Sequence, residues 1–88
     1  MTYGFALITG GTTGIGAAFA KSLPESTNLL LVARNEEKLA ERKAELESPS
    51  RTVETVAADL STTEGRSRVI DKAIECEIDL LINNAGAG

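Results

Sequence analysis

Eight residues near the N-terminus, Thr9-Gly10-Gly11-Thr12-Thr13-Gly14-Ile15-Gly16, suit a segment that brings its own backbone up to an anion. They follow the apolar stretch Phe5-Ala6-Leu7-Ile8 and precede a helical pattern. Gly10 permits a tight turn out of a strand. Gly14 lets backbone N–H groups approach a pyrophosphate, and Gly16 lets the helix lie close to a sheet. The start of that helix adds unpaired N–H donors and a partial positive charge. Thr12 and Thr13 add hydroxyl donors for phosphate oxygens. The spacing is not G-x-G-x-x-G, and Ala17 after Gly16, where a P-loop has Lys, excludes a P-loop. Without a ligand, the same residues would form a Gly-rich turn.

Much other chemistry is excluded by composition. The 88 residues contain no His, which removes His-based catalysis and most zinc sites. The one cysteine, Cys76, has no basic neighbour in sequence and reads as a packing residue; alone, it excludes an internal disulfide. A net charge of −4 argues against nucleic acid as a main partner, because phosphate backbones want a basic face. The longest apolar run, 29–33, is far short of the roughly 20 residues a membrane helix needs. No basic flank with a long apolar stretch opens the chain, so the sequence predicts a cytoplasmic protein without a membrane partner.

The elements that must hold the glycine loop follow from hydrophobic pattern. Apolar runs at 5–8, 29–33, 52–58 and 78–82 start about every 24 residues, the spacing of a repeated strand-helix unit. The second run is wholly apolar, as a strand buried on both faces should be. The third, with Thr52, Glu54 and Thr55, reads as an edge strand. Between the runs, Ile15, Phe19 and Leu23 share one helical face that ends near Pro24. Asn35 is placed to cap a second helix with Leu39 and Leu46 on its buried side and its many charges in solvent. Ser61 and Glu64 form a capping-box pattern for a third helix whose apolar face would carry Val69, Ile70, Ala73 and Ile74. Gly65 is expected to weaken its first turn. The order β-α-β-α-β-α-β predicts an α/β fold: an open, twisted parallel sheet with helices on both faces. Its ligands would bind at the carboxyl ends of the strands.

Four segments at those strand ends carry a resemblance. T-G-x-x-x-G-I-G after the first strand, Arg34 after the second, Asp59-Leu60 after the third and Asn83-Asn84-Ala85-Gly86 after the fourth together resemble the short-chain dehydrogenase/reductase family. The resemblance covers the whole chain. It implies that residues 1–88 are the N-terminal, dinucleotide-binding portion of a single Rossmann-type domain with strand order 3-2-1-4. Gly10, Thr12, Thr13, Gly14, Ile15 and Gly16 would then cradle the pyrophosphate of a nicotinamide dinucleotide. Arg34 stands where an NAD-preferring member carries an acidic residue for the adenosine ribose. A guanidinium there would pair with the 2′-phosphate of NADP, so NADP is expected over NAD. Asp59 would reach the adenine amino group, with the Leu60 backbone nearby; equally, a carboxylate there can serve the N-terminus of the next helix. The backbone of Asn83 with Ala85 and Gly86 would lie against the nicotinamide-side ribose, and Asn84 would stitch neighbouring strands.

The resemblance also marks what this sequence lacks. Family enzymes use a Tyr as general acid/base, a Lys four positions on and an upstream Ser, all after the Asn-Asn-Ala-Gly segment. The only tyrosine here is Tyr3. A fourth strand without a further neighbour would expose an apolar edge. The expectation is therefore the front part of a longer oxidoreductase, acting on a small alcohol or carbonyl substrate and forming a homo-oligomer, with no catalytic residue within these 88. Alternatives are a non-catalytic dinucleotide-binding module or sensor, and a degenerate chain whose exposed edge merely assembles.

Overall fold

A computed structural model describes residues 4–10 and 14–83. The elements are β1 (Phe5–Thr9), α1 (Gly14–Ser22), β2 (Asn28–Ala33), α2 (Glu36–Leu46), β3 (Val53–Ala57), α3 (Thr63–Cys76) and β4 (Leu80–Asn83). The four strands form one parallel sheet in the order β3-β2-β1-β4. The expected strand order and the edge position of the part-polar third run are both observed.

Burial explains the arrangement. In β2, Leu29, Leu30, Leu31 and Val32 are all buried, so the strand needs cover on both faces. On one face, Ala6, Ile8, Leu29, Leu31 and Val53 pack with Ala20 of α1 and with Leu39 and Leu46 of α2. On the other, Leu7, Leu30, Val32 and Val56 pack with Val69 of α3, and Ala73 and Cys76 join at the margin. Each fully buried Leu or Val contributes about 1.5–3 kcal/mol relative to exposure. Cys76 thus serves packing, and desolvation holds its thiol pKa above the usual value.

Helix faces differ in detail from the pattern. In α1, the small residues Gly16, Ala17 and Ala20 are buried, while Phe19 is 45% exposed. Small side chains let α1 approach the sheet closely, which turns the bulky phenyl ring to the rim. In α3, Val69 is buried, but Ile70 and Ile74 are 57% and 72% exposed. They lie on the flank of the helix away from Arg68, Lys72 and Glu75, which line the β3 side. Asn35 caps α2 as expected, its Oδ1 accepting from the Lys38 N–H at 3.1 Å.

The capping box of Ser61 and Glu64 is not formed. Thr62 is the N-cap of α3, and its Oγ1 accepts from the Gly65 N–H at 3.0 Å. The start moves one residue on because Asp59 engages Ser61. Gly65 is a requirement at that point, not a weak spot. A Cβ there would collide with the Asp59 carbonyl oxygen and lie 2.9 Å from Thr62 Oγ1.

The amino-terminal pole of the sheet is clamped by groups without a sequence signature. Arg51, only 6% exposed, donates through Nε to the Thr27 carbonyl at 3.0 Å. Its Nη2 donates to the carbonyls of Leu23 and Pro24 at 3.0 and 2.7 Å. Asp79 accepts from the Gly4 and Phe5 N–H groups at 2.8 and 2.9 Å, which ties the approach to β4 to the start of β1.

Candidate active site at the carboxyl ends of the strands

The register aligns the strand exits. Thr9 lies beside Val32 and Asn83, and Ala33 beside Ala57. The turns that follow these residues therefore share one pole of the molecule. Gly10 leaves β1 at φ 67°, a left-handed conformation that a side chain disfavours, and its N–H donates to the Val32 carbonyl at 2.8 Å. Four residues later Gly14 opens α1, and Gly14, Ile15 and Gly16 form its first turn. The first turn and positive end of α1 thus sit at the mouth of the sheet. Thr12 and Thr13 lie outside the described residues, as do Asn84, Ala85 and Gly86.

Arg34 follows β2 directly and is exposed. Among the described residues, no hydrogen bond or ion pair engages its guanidinium. Next to it, the Asn35 cap fixes the start of α2, so the backbone that carries Arg34 is anchored on both sides.

Asp59 stands beyond β3, and its Oδ1 accepts from the Ser61 N–H at 2.9 Å and from the Ser61 hydroxyl at 2.6 Å. Its carbonyl accepts from the Thr62 N–H at 3.2 Å and from Thr62 Oγ1 at 3.0 Å. The Ser61 hydroxyl and then the Ser61 N–H hold the carboxyl pKa below its ordinary value, and the Arg34 guanidinium adds a smaller push the same way. Asp59 is therefore an ionised acceptor at neutral pH and not a proton donor. Of the two readings of Asp59, the local one describes its contacts: it organises the entry to α3. Leu60 is half-buried against the second core cluster, and Arg66 Nη1 donates to its carbonyl at 3.0 Å.

Asn83 ends β4, and its Oδ1 accepts from the Thr9 hydroxyl at 2.9 Å. The side chain of this first Asn thus ties β4 to β1, a part the sequence reading gave to Asn84.

Gly10, Gly14, Arg34, Asp59 and Asn83 are brought to one pole; Leu60 supports them from below. Thr62 and Arg66 are missed from sequence, while Ser61, expected as a cap, holds Asp59, and Thr9, expected only as the start of the glycine loop, binds Asn83. Asp-x-Ser before a helix is a local turn pattern in which the carboxylate binds the amide two residues on, and that signal was available. The grips of Arg66 and Thr9 depend on tertiary geometry.

A groove of about 640 Å³ runs along the outer edge of β3 between α2 and α3. It is lined by Lys43, Thr55, Arg68 and Lys72 among others, and Lys72 pairs with Glu54 there at 3.1 Å. It flanks the sheet and reaches the exit of β3, since Ala57 at the end of that strand and Glu36 at the start of α2 are among its lining. Among the described residues, no cluster of His, Cys, Asp and Glu could hold a metal ion, and no helix is long and apolar enough to cross a membrane.

Comparison with known proteins agrees with this layout. The family model described as short chain dehydrogenase matches residues 4–88. An uncharacterized oxidoreductase of Bacillus subtilis, YvrD, is 41% identical over 91% of this chain and 31% of its own length. L-sorbose reductase of Gluconobacter frateurii, solved with NADPH and L-sorbose, superposes with a TM-score of 0.84 at 36% identity. That match covers 99% of this chain and 35% of the reductase. An NAD+-bound xylitol dehydrogenase superposes with a TM-score of 0.83 at 29% identity, over 93% of this chain and 33% of its own. The chain thus spans about a third of the length of the relatives it matches.

Proposed function

Because the chain belongs to the short-chain dehydrogenase family, we propose that it forms the NADP(H)-binding portion of an oxidoreductase that interconverts alcohol and carbonyl groups. Residues 1–88 act as the dinucleotide-binding portion of a single Rossmann-type domain. The observation that carries the reading is the placement of Arg34: an exposed guanidinium without a partner among the described residues, at the same pole as the Gly10 turn and the start of α1.

The groups present suit such a cofactor. Backbone amides after Gly10 and at the first turn of α1 are donors for pyrophosphate oxygens. Arg34 presents a planar fork of donors to a 2′-phosphate, and a carboxylate at that place would repel it. Asp59, ionised, accepts a hydrogen bond from an adenine amino group, and the Leu60 carbonyl is held beside it by Arg66. The Asn83–Thr9 bond keeps the exits of β4 and β1 together, where Asn83, Ala85 and Gly86 would receive the nicotinamide-side ribose. The nicotinamide ring, when bound, supplies or accepts the hydride. This chain's part is to bind and orient that ring's carrier.

Calorimetry tests the reading. The protein should bind NADPH about tenfold or more tightly than NADH, since a charge-assisted hydrogen bond contributes roughly 1.5–3 kcal/mol. Arg34→Ala should erase that preference and leave NADH affinity nearly unchanged. Equal affinities in the unsubstituted protein would refute it.

A further inference from the structure

Arg34 has an anion close by that does not bind it. Arg34 and Asp59 lie just beyond the ends of neighbouring strands, where Ala33 is the register partner of Ala57 and its carbonyl accepts from the Ala58 N–H at 3.0 Å, yet no ion pair joins the two side chains. Oδ1 of Asp59 is instead held at 2.6 Å by the Ser61 hydroxyl and at 2.9 Å by the Ser61 N–H. The turn is rigid from behind. Thr62 binds the Asp59 carbonyl, and Gly65 is pressed against that same carbonyl.

We propose that Ser61 is a positioning residue for cofactor choice: its hydroxyl holds the Asp59 carboxylate away from Arg34 and so leaves the guanidinium available to a 2′-phosphate. The proposal rests on the NADP(H) reading above. The physical reason is competition. An Arg34–Asp59 pair would neutralise the cation that the phosphate needs, and the phosphate would then have to displace a carboxylate and meet its repulsion. The hydroxyl bond to an ionised acceptor is short and charge-assisted, stronger than a neutral one. Removing it leaves the Asp59 carboxylate with the Ser61 amide as its one donor among the described residues and frees it to turn toward Arg34. The cofactor without a 2′-phosphate makes no use of Arg34, and any change in the adenine contact of Asp59 is common to both cofactors, so it cancels in their ratio. Ser61 touches neither reacting atoms nor phosphate; it acts through Asp59.

The test is calorimetry with NADPH and NADH on four proteins: the unsubstituted chain, Ser61→Ala, Ser61→Thr and Ser61→Ala/Asp59→Asn. Exposed ion pairs are worth up to about 1 kcal/mol, so the ratio of NADH to NADPH dissociation constants should fall about three- to fivefold in Ser61→Ala. Ser61→Thr, which keeps the hydroxyl, should retain the ratio. The double variant, without the competing charge, should restore it. NMR titration of the Asp59 carboxyl reports the loss of the hydroxyl bond separately. A Ser61→Ala ratio equal to that of the unsubstituted protein, or equal losses for both cofactors, would overturn the proposal while the NADP(H) reading stands. An unsubstituted protein without NADPH preference would overturn both.

Discussion

At the residue scale, three charged side chains differ in what holds them. Arg34 is without a partner among the described residues, Asp59 is held by Ser61, and Asp79 is held by two backbone amides. The Asp79 contacts make a prediction about pH. The Gly4 N–H, then the Phe5 N–H, lower the Asp79 pKa in the folded state. A depressed carboxyl pKa adds stability that is present above the unfolded value, about 3.9, and is lost as pH falls through the folded value. Asp79→Asn should therefore be less stable than the unsubstituted protein at neutral pH, and the gap should close below about pH 4. Chemical denaturation at several pH values reads this directly; a gap that stays constant into acid would show that the charge is irrelevant there.

At the scale of elements, the glycine turn, the caps and the β3–α3 corner set where each site residue stands. Glu77, the C-cap of α3, adopts φ 57°, ψ 55°, a left-handed conformation in which a Cβ is costly. Glu77→Gly should raise stability by about 0.5–1 kcal/mol, measured by denaturant midpoint, without altering cofactor binding at the other pole. The strands and their order were legible because buried parallel strands are nearly all apolar and recur at the strand-helix spacing. Asn35 was legible as a cap because its short amide precedes two glutamates and an apolar stripe. The α3 start was misread because Ser61, Thr62 and Thr63 are all plausible caps by type. Only the competing demand of Asp59 for Ser61 decides among them. Phe19, Ile70 and Ile74 were misplaced for a related reason: periodicity gives a helix face, and closeness of approach decides which part of that face touches the sheet.

At the scale of the whole molecule, the two poles of the sheet are built differently. The amino-terminal pole is closed by satisfied contacts, with Arg51 gripping three carbonyls and Asp79 two amides. At the carboxyl pole, Asp59 and Asn83 are held by protein groups, while the Arg34 guanidinium stays open. Arg51 and Asp79 escaped the sequence reading because their partners are mostly backbone groups, which leave no mark in residue type. The four motif segments were legible because they follow the strands, and a parallel sheet sends every strand exit to the same end. The central claim is that this end receives a 2′-phosphate on Arg34, and phosphorus NMR of bound NADP+ tests it most directly. The second ionisation of a phosphate monoester lies near 6 in water, and a guanidinium beside it favours the dianion. Bound to the protein, the 2′-phosphate resonance should titrate at lower pH than in free NADP+, and at the free value in Arg34→Ala. A 2′-phosphate that titrates in the complex as it does in solution would contradict the account.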